Sequence, residues 1–222
     1  MSPLRLTEAT PLLLASASPR RREILQNLRI PHLVSPPAGV DERVAAGEHP
    51  ATYLDRVVDA KLEASVRVFG LDPQRMGDTL RGVDASAIFG AAAAVLVADT
   101  SVICNDEILG KPSSPAESHT MIVKLAGRTH EVWTRFAIGA PEAKARVLHA
   151  ETVVTRVTFR ALTPERIRQY AESGEGDDKA GAYAVQGLGA ALVSRIEGSY
   201  SNVVGLPAAE VVTALETLGL LP

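Results

Sequence analysis

The stretch Ser16-Ala17-Ser18-Pro19-Arg20-Arg21-Arg22 constrains this chain more than any other, because it joins a strand to a helix and loads the helix start with arginines. Leu12 to Ala15 before it is a short apolar run suited to a buried strand. Pro19 fits the first turn of a helix with Ser18 as its cap, and Ile24, Leu25 and Leu28 recur at helical spacing. The unit reads strand, tight loop, helix. A helix N-terminus carries unpaired N–H groups and a partial positive charge, and guanidiniums in its first turn add forked donors for phosphate oxygens. Cations there oppose the helix dipole unless an anion answers them. Two readings stand: a phosphate site and a solvated basic turn.

Helical periodicity recurs from Ala51 to Phe69, where Leu54, Val57, Val58, Leu62 and Val66 mark one apolar face. Further helices are expected from about Ala116 to Leu125, from the Thr163-Pro164-Glu165 start toward Glu172, and from Ala208 to Leu218. Glu131 to Ile138 and Thr152 to Phe159 alternate as strands do. Val95-Leu96-Val97 reads as the end of a buried strand, with Asp99-Thr100 just beyond it. Strands and helices mix throughout, so the expected class is α/β or mixed α+β. Residues 70–91 carry weak periodicity and are expected to be a surface insertion in a single domain spanning 1–222.

With 46% apolar and 22% charged residues, wholesale disorder is excluded. A formal charge of -3 argues against a duplex-nucleic-acid binder but leaves room for a small anion held by a local cluster of cations. The single cysteine, Cys104, forms no intramolecular disulfide and no cysteine metal site, which suits a reducing cytoplasm. The longest apolar run, from Ile88 to Ala98, is about half of the ~20 residues a spanning helix needs. Leu12 to Ala17 faintly imitates a signal peptide, but Glu8 precedes it and arginines follow, which reverses the expected charge order. The expected location is cytoplasmic.

Other chemistries fall away by spacing. Ile108-Leu109-Gly110-Lys111-Pro112 is not a Walker loop, since position 105 is Asn and Pro112 replaces the Ser or Thr, yet Lys111 can still present a rigidly placed ammonium. Gly187-Leu188-Gly189 lacks the third glycine of a dinucleotide fingerprint. Histidines 32, 49, 119, 130 and 149 have no zinc-hydrolase spacing, and no serine sits in a G-x-S-x-G elbow. Taken alone, Asp99 reads first as a turn carboxylate and second as a metal ligand or general base. What remains is a cationic site with carboxylates, which fits phosphorus chemistry with a metal.

In order along the chain, LLLASASPRRREIL at 12–25, VDE at 40–42, AKLEA at 60–64, VADTSVICNDEILGKP at 97–112 and LAGRTHEVWT at 125–134 precede YAESGEGDDKAGAYAVQGLGAALVSRIEGSYSNVVGLP at 170–207. This ordered set resembles the Maf family of nucleoside triphosphate pyrophosphatases. The resemblance implies a fold similar to the inosine triphosphatase class, a bent mixed sheet flanked by helices with two lobes around a cleft. It implies hydrolysis of a nucleoside triphosphate to the monophosphate and pyrophosphate with a divalent cation, Mg or Mn.

By resemblance Asp99 is the proton acceptor, and Arg20, Thr100 and Gln186 occupy substrate-specificity positions. Lys61, Lys111, Arg21 and Glu42 match other cleft residues, Ser16 and Ser18 belong to the substrate loop, and Glu42 with Asp99 can hold the metal. The run Asp178 to Gly187 resembles the branch acting on dTTP and UTP rather than the one acting on 7-methyl-GTP. Gln186 can read the imide edge of uracil or thymine, or bond to loop backbone. Gly176 stands where a proline is common, and Leu62 where Ala often follows the lysine. A homodimer is a further implication, with no membrane partner. Competing readings are a house-cleaning enzyme for other non-standard nucleotides and a nucleotide-binding regulator of cell division or septum formation with little turnover.

Overall fold

The computed structural model describes residues 5–67, 92–142 and 144–222, so the expected insertion at 70–91 lies outside the described residues. In chain order the strands and α-helices are β1 (Leu12–Leu14), α1 (Pro19–Asn27), β2 (His32–Val34), α2 (Pro50–Val66), β3 (Ala94–Cys104), β4 (Glu107–Leu109) and α3 (Pro115–Leu125). They continue with β5 (Thr129–Gly139), β6 (Val147–Phe159), α4 (Pro164–Glu172), β7 (Val193–Glu197), α5 (Tyr200–Val204) and α6 (Ala208–Thr217). Two 3-10 turns, Ala180–Ala182 and Gly187–Ala191, lie between α4 and β7.

The strands form one mixed sheet in the order β2-β1-β3-β5-β6-β7, with β4 also on β3. β1 pairs in parallel with β2 and β3, and the other pairings are antiparallel. One edge of β3 runs along β5 from Val95 to Ile103. The other edge takes β1 at Ala94–Leu96 and β4 at Val102–Cys104, so that edge has no strand neighbour between 97 and 101. This gap positions the site.

Helix starts follow their sequence signals. His49 accepts from the Ala51 amide at 3.2 Å, Ser114 from Glu117 at 3.2 Å and Thr163 from Arg166 at 3.2 Å, each just before a proline at the helix start. Ser18 occupies the N-cap position of α1, but its side chain makes no capping bond, contrary to expectation. Its amide is instead tied to Ser16 Oγ at 3.2 Å, and the first-turn N–H groups of α1 carry no side-chain cap.

Strand parity then sorts the core. Leu96 and Ala98 face the α1 and α6 side with Leu12, Leu14, Leu25, Val211 and Leu215. Val95 and Val97 face α2 with Val58, Leu62 and Val66. Each such buried aliphatic side chain is worth about 1.5–3 kcal/mol of transfer free energy, so α2 is fastened to the sheet along its whole apolar face. Leu62 fills the space over Gly139, where a Cβ would lie 2.5 Å from Leu62 Cδ1. A third cluster, built from Met121, Ile122, Leu125, Val157, Phe159 and Tyr170, lies under α3 and α4.

β3 does not end before Asp99 as expected: it runs through Asp99 and Thr100 to Cys104 because pairing with β5 continues, with Asp99 opposite Arg135. Asp is depleted in strands, so at Asp99 the non-local ladder with β5 overrides the local preference. β6 likewise begins at Val147 rather than near 152, carried by its register with β5. Among the described residues no helix is long and apolar enough to cross a membrane.

Candidate active site

The gap in the sheet opens into a cleft of about 870 Å³, within the ~300–1,000 Å³ common for small-molecule sites. All ten residues singled out from sequence line it: Ser16, Ser18, Arg20, Arg21, Glu42, Lys61, Asp99, Thr100, Lys111 and Gln186. They reach it from six separate segments, so the convergence is a property of the fold. Asp99 and Thr100, being consecutive on β3, point to opposite faces of the gap. Asp99 turns toward α2 and Thr100 toward α1.

On the α2 face, Lys61 is buried and its Nζ donates to Asp99 Oδ1 at 2.7 Å while lying 3.0 Å from Glu42 Oε1. One ammonium thus links a buried carboxylate on a strand to an exposed carboxylate on a loop. The helix supplies the reach: Lys61 sits among the buried positions Val57, Val58 and Leu62 of α2, so its stem packs against the sheet and its head emerges at the gap. Glu42 is delivered by the loop before α2. Tyr53 Oη donates to the Glu42 carbonyl at 3.1 Å, and Arg56 donates to the Asp41 carbonyl at 3.1 Å and the Arg43 carbonyl at 2.9 Å. Burial, reinforced by the Asp99 and Glu42 charges, pushes the Tyr53 phenol well up, so it stays a donor.

On the α1 face, Arg21 is buried and its guanidinium is largely spent on protein acceptors. Nε donates to the Gly205 carbonyl at 2.8 Å, Nη1 to Ser16 Oγ at 3.1 Å and to the Ala98 carbonyl at 2.9 Å, and Nη2 to Thr100 Oγ1 at 3.1 Å. It therefore closes the open edge of β3, where the Ala98 carbonyl has no strand partner, and ties the Ser16 loop to the Gly205 turn. Burial lowers its pKa, opposed by the fields of Asp99 and Glu42. Thr100 Oγ1 also bonds with Thr134 Oγ1 at 2.9 Å, and Thr134 donates to the Asn202 carbonyl at 3.3 Å. The fully buried Asn202 amide reaches the Val132 carbonyl at 3.0 Å and Thr155 Oγ1 at 2.9 Å. Arg21, Thr100, Thr134 and Asn202 are thus one network, and the last two carried no sequence signal beyond their place in the quoted motifs.

The remaining cations are differently disposed. Arg20 is half-buried at the α1 start and lies 3.9 Å from Asp178, and Lys111 is exposed at the cleft mouth. Lys179, not singled out from sequence, lines the cleft and is anchored by the Glu175 carbonyl at 2.5 Å and the Asp178 carboxylate. Gln186 is exposed on a loop entering the cleft, and its side chain has no hydrogen-bond partner among the described residues. The alternative that its amide bonds to loop backbone is not what the loop adopts.

The arrangement offers a buried carboxylate, a second carboxylate nearby, cations on both walls and an amide at the rim. Among the described residues no three His, Cys, Asp or Glu side chains converge to hold a metal. Asp99 and Glu42 nevertheless present hard oxygens on either side of one cation, the Lys61 ammonium, so the pair is already arranged around positive charge.

A relative from Myxococcus xanthus, named dTTP/UTP pyrophosphatase, is 45% identical over 96% of this chain and 95% of its own length. Relatives of the same name from Moorella thermoacetica and Geobacter sp. strain M21 are 43% and 42% identical, the first over 94% of this chain and 95% of its own, the second over 95% and 96%. A crystal structure of a nucleoside-triphosphatase (dITP/XTP pyrophosphatase) from Mycobacterium abscessus aligns over 96% of this chain and 98% of its own at 12% identity, with a TM-score of 0.36. The family model described as Maf-like protein matches residues 11–218, and with near-full-length relatives above 40% identity this chain belongs to the Maf-like family.

Proposed function

We propose that this protein is a nucleoside triphosphate pyrophosphatase acting on dTTP and UTP, releasing the monophosphate and pyrophosphate. The observation that carries the reading is the Asp99–Lys61–Glu42 cluster set in a cation-lined cleft with the Gln186 amide at its rim. The names of the full-length relatives support the choice of substrate.

The reaction needs a base, charge neutralisation and base recognition. A triphosphate carries roughly four negative charges near neutrality, and charges that develop in phosphoryl transfer are stabilised by prearranged cations in a water-poor site. Arg20, Lys111, Lys179 and the uncapped first turn of α1 supply that field along the cleft. Asp99 accepts the proton of the attacking water as its oxygen bonds to the α-phosphorus, and the bond from that phosphorus to the bridging oxygen breaks to release pyrophosphate. Lys61 fixes the carboxylate rotamer for this task. Arg21 acts one step back, holding the Ser16 loop and the Ala98–Thr100 backbone that carry the reacting groups. Gln186, with a carbonyl and an NH₂ to offer, matches the acceptor and donor of a uracil or thymine edge.

A divalent cation such as Mg or Mn fits the donor set, and the carboxylate oxygens of Asp99 and Glu42 would hold it together with the substrate. When bound it supplies further neutralisation of phosphate charge.

The test is pyrophosphate release from dTTP, UTP, CTP, ITP and 7-methyl-GTP, with Mg or Mn and with chelator. The expected result is metal-dependent turnover led by dTTP and UTP. Fastest turnover of 7-methyl-GTP overturns the pyrimidine reading, and binding of nucleotides without any turnover favours the regulator.

A further inference from the structure

Gln186 is exposed and sits directly before Gly187, whose φ is +63°, at the start of a 3-10 turn. An exposed amide on such a loop loses backbone and rotamer freedom on meeting a base, and recognition suffers unless the loop is already held. The chain on both sides of Gln186 is held, and by a single pair of side chains. Before it, the Ala184 amide donates to Tyr170 Oη at 3.0 Å. After it, the Leu188 amide donates to Glu175 Oε1 at 2.8 Å and the Gly189 amide to Glu175 Oε2 at 2.8 Å. The two anchors are joined, because Tyr170 Oη donates to Glu175 Oε2 at 3.0 Å.

Each partner has the chemistry for its place. The phenol has one proton and a free lone pair, so it gives to the carboxylate and receives from an amide at once. Burial pushes the Tyr170 phenol well up, which keeps that proton in place. The carboxylate is an acceptor for three donors, and bonds to a charged acceptor are the strong kind. Tyr170 itself is 5% exposed within the core of α4. The packing leaves no slack: a Cβ at Gly187 would lie 2.2 Å from Glu175 Oε1, and one at Gly189 would lie 2.0 Å from the Ala184 carbonyl and 2.9 Å from Tyr170 Oη. Neither Tyr170 nor Glu175 lines the cleft.

We propose that Tyr170 and Glu175 are positioning residues that clamp the loop on both sides of Gln186 and thereby set discrimination between uracil and cytosine nucleotides. The proposal rests on the reading of Gln186 as the base-recognising group. Uracil presents a donor at N3 and an acceptor at O4, whereas cytosine reverses both, so the ratio of kcat/KM for UTP over CTP reads the placement of this amide.

The experiment measures that ratio in the parent, Gln186→Ala, Tyr170→Phe and Glu175→Gln, with folding checked by circular dichroism. Tyr170→Phe loses the bonds to Ala184 and Glu175, and Glu175→Gln keeps one carbonyl for two amide donors. Each is expected to lower the ratio about tenfold, toward the Gln186→Ala value, with the CTP rate within about twofold of parent. Equal losses for UTP and CTP, or an unchanged ratio, overturn the clamp while leaving Gln186 in its role, provided Gln186→Ala itself lowers the ratio. If Gln186→Ala leaves the ratio unchanged, the reading of Gln186 falls and the clamp proposal falls with it. If Tyr170→Phe fails to fold, Glu175→Gln decides.

Discussion

Replacing Lys61 with methionine removes the ammonium between Asp99 and Glu42 while keeping most of the stem that packs on β3. The side chains of Lys61 and Asp99 are 8% and 10% exposed, and Glu42 is 44% exposed. Breaking a buried pair from one side leaves an uncompensated charge and typically costs about 3–5 kcal/mol. The half-exposed Glu42 contact adds no more than about 1 kcal/mol. Methionine leaves little cavity, so the expected loss is about 3 kcal/mol, measured by urea denaturation at pH 7. Because the penalty resides in the stranded Asp99 charge, Asp99→Asn in the Lys61→Met background is expected to restore about 2 kcal/mol. A double-mutant cycle reads this coupling directly. A cost below about 1 kcal/mol for Lys61→Met, or simple additivity of the two substitutions, refutes the account of the cluster.

Arg21→Lys replaces a planar fork bonded to Gly205, Ser16, Ala98 and Thr100 with an ammonium that cannot span all four acceptors. A loss of about 2 kcal/mol in urea denaturation is expected, and an unchanged midpoint contradicts the role. Gly176→Ala places a Cβ 1.9 Å from the Ala182 carbonyl, so thermal melting of this variant is expected to fall by several degrees. An Ala at 176 with parent melting means the loop has room the geometry denies. His130 is buried with its pKa depressed from 6.5 to about 4 by desolvation, so the folded state binds fewer protons than the unfolded chain between those values. Its contribution to stability is complete above pH 6.5 and drains by about 3 kcal/mol as pH falls to 4. His130→Gln is expected to remove that share of the acid slope, and an identical slope in the variant defeats the assignment.

Local signals in the sequence carried the strand–loop–helix start, the proline-led helix start at Pro164 and the apolar face of α2. They did not carry the length of β3, because Asp99 and Thr100 look like a strand exit and only the ladder with β5 keeps them inside the sheet. The gap between β1 and β4 is equally invisible along the chain, since it comes from two short strands sharing one edge of β3. Candidate site residues were legible through the ordered motifs, and the fold brings all ten to one cleft. Their division of labour was not legible. Arg21 has the composition of a phosphate ligand, but its partners are carbonyls and hydroxyls that only the folded chain assembles. Glu175 was missed for a related reason: it binds backbone amides, which every sequence supplies. Gly176, a mere departure in sequence, proves to be a place where the backbone of Ala182 leaves no room for a side chain.

In the proposed reaction water attacks the α-phosphorus of a pyrimidine nucleoside triphosphate with Asp99 taking its proton. Turnover of UTP with a divalent cation in water enriched in oxygen-18, followed by mass spectrometry of both products, shows which phosphorus the water attacks. One heavy oxygen is expected in UMP and none in pyrophosphate, with Asp99→Asn slowing the reaction by at least about a hundredfold. Heavy oxygen in pyrophosphate, or release of inorganic phosphate in its place, would contradict it.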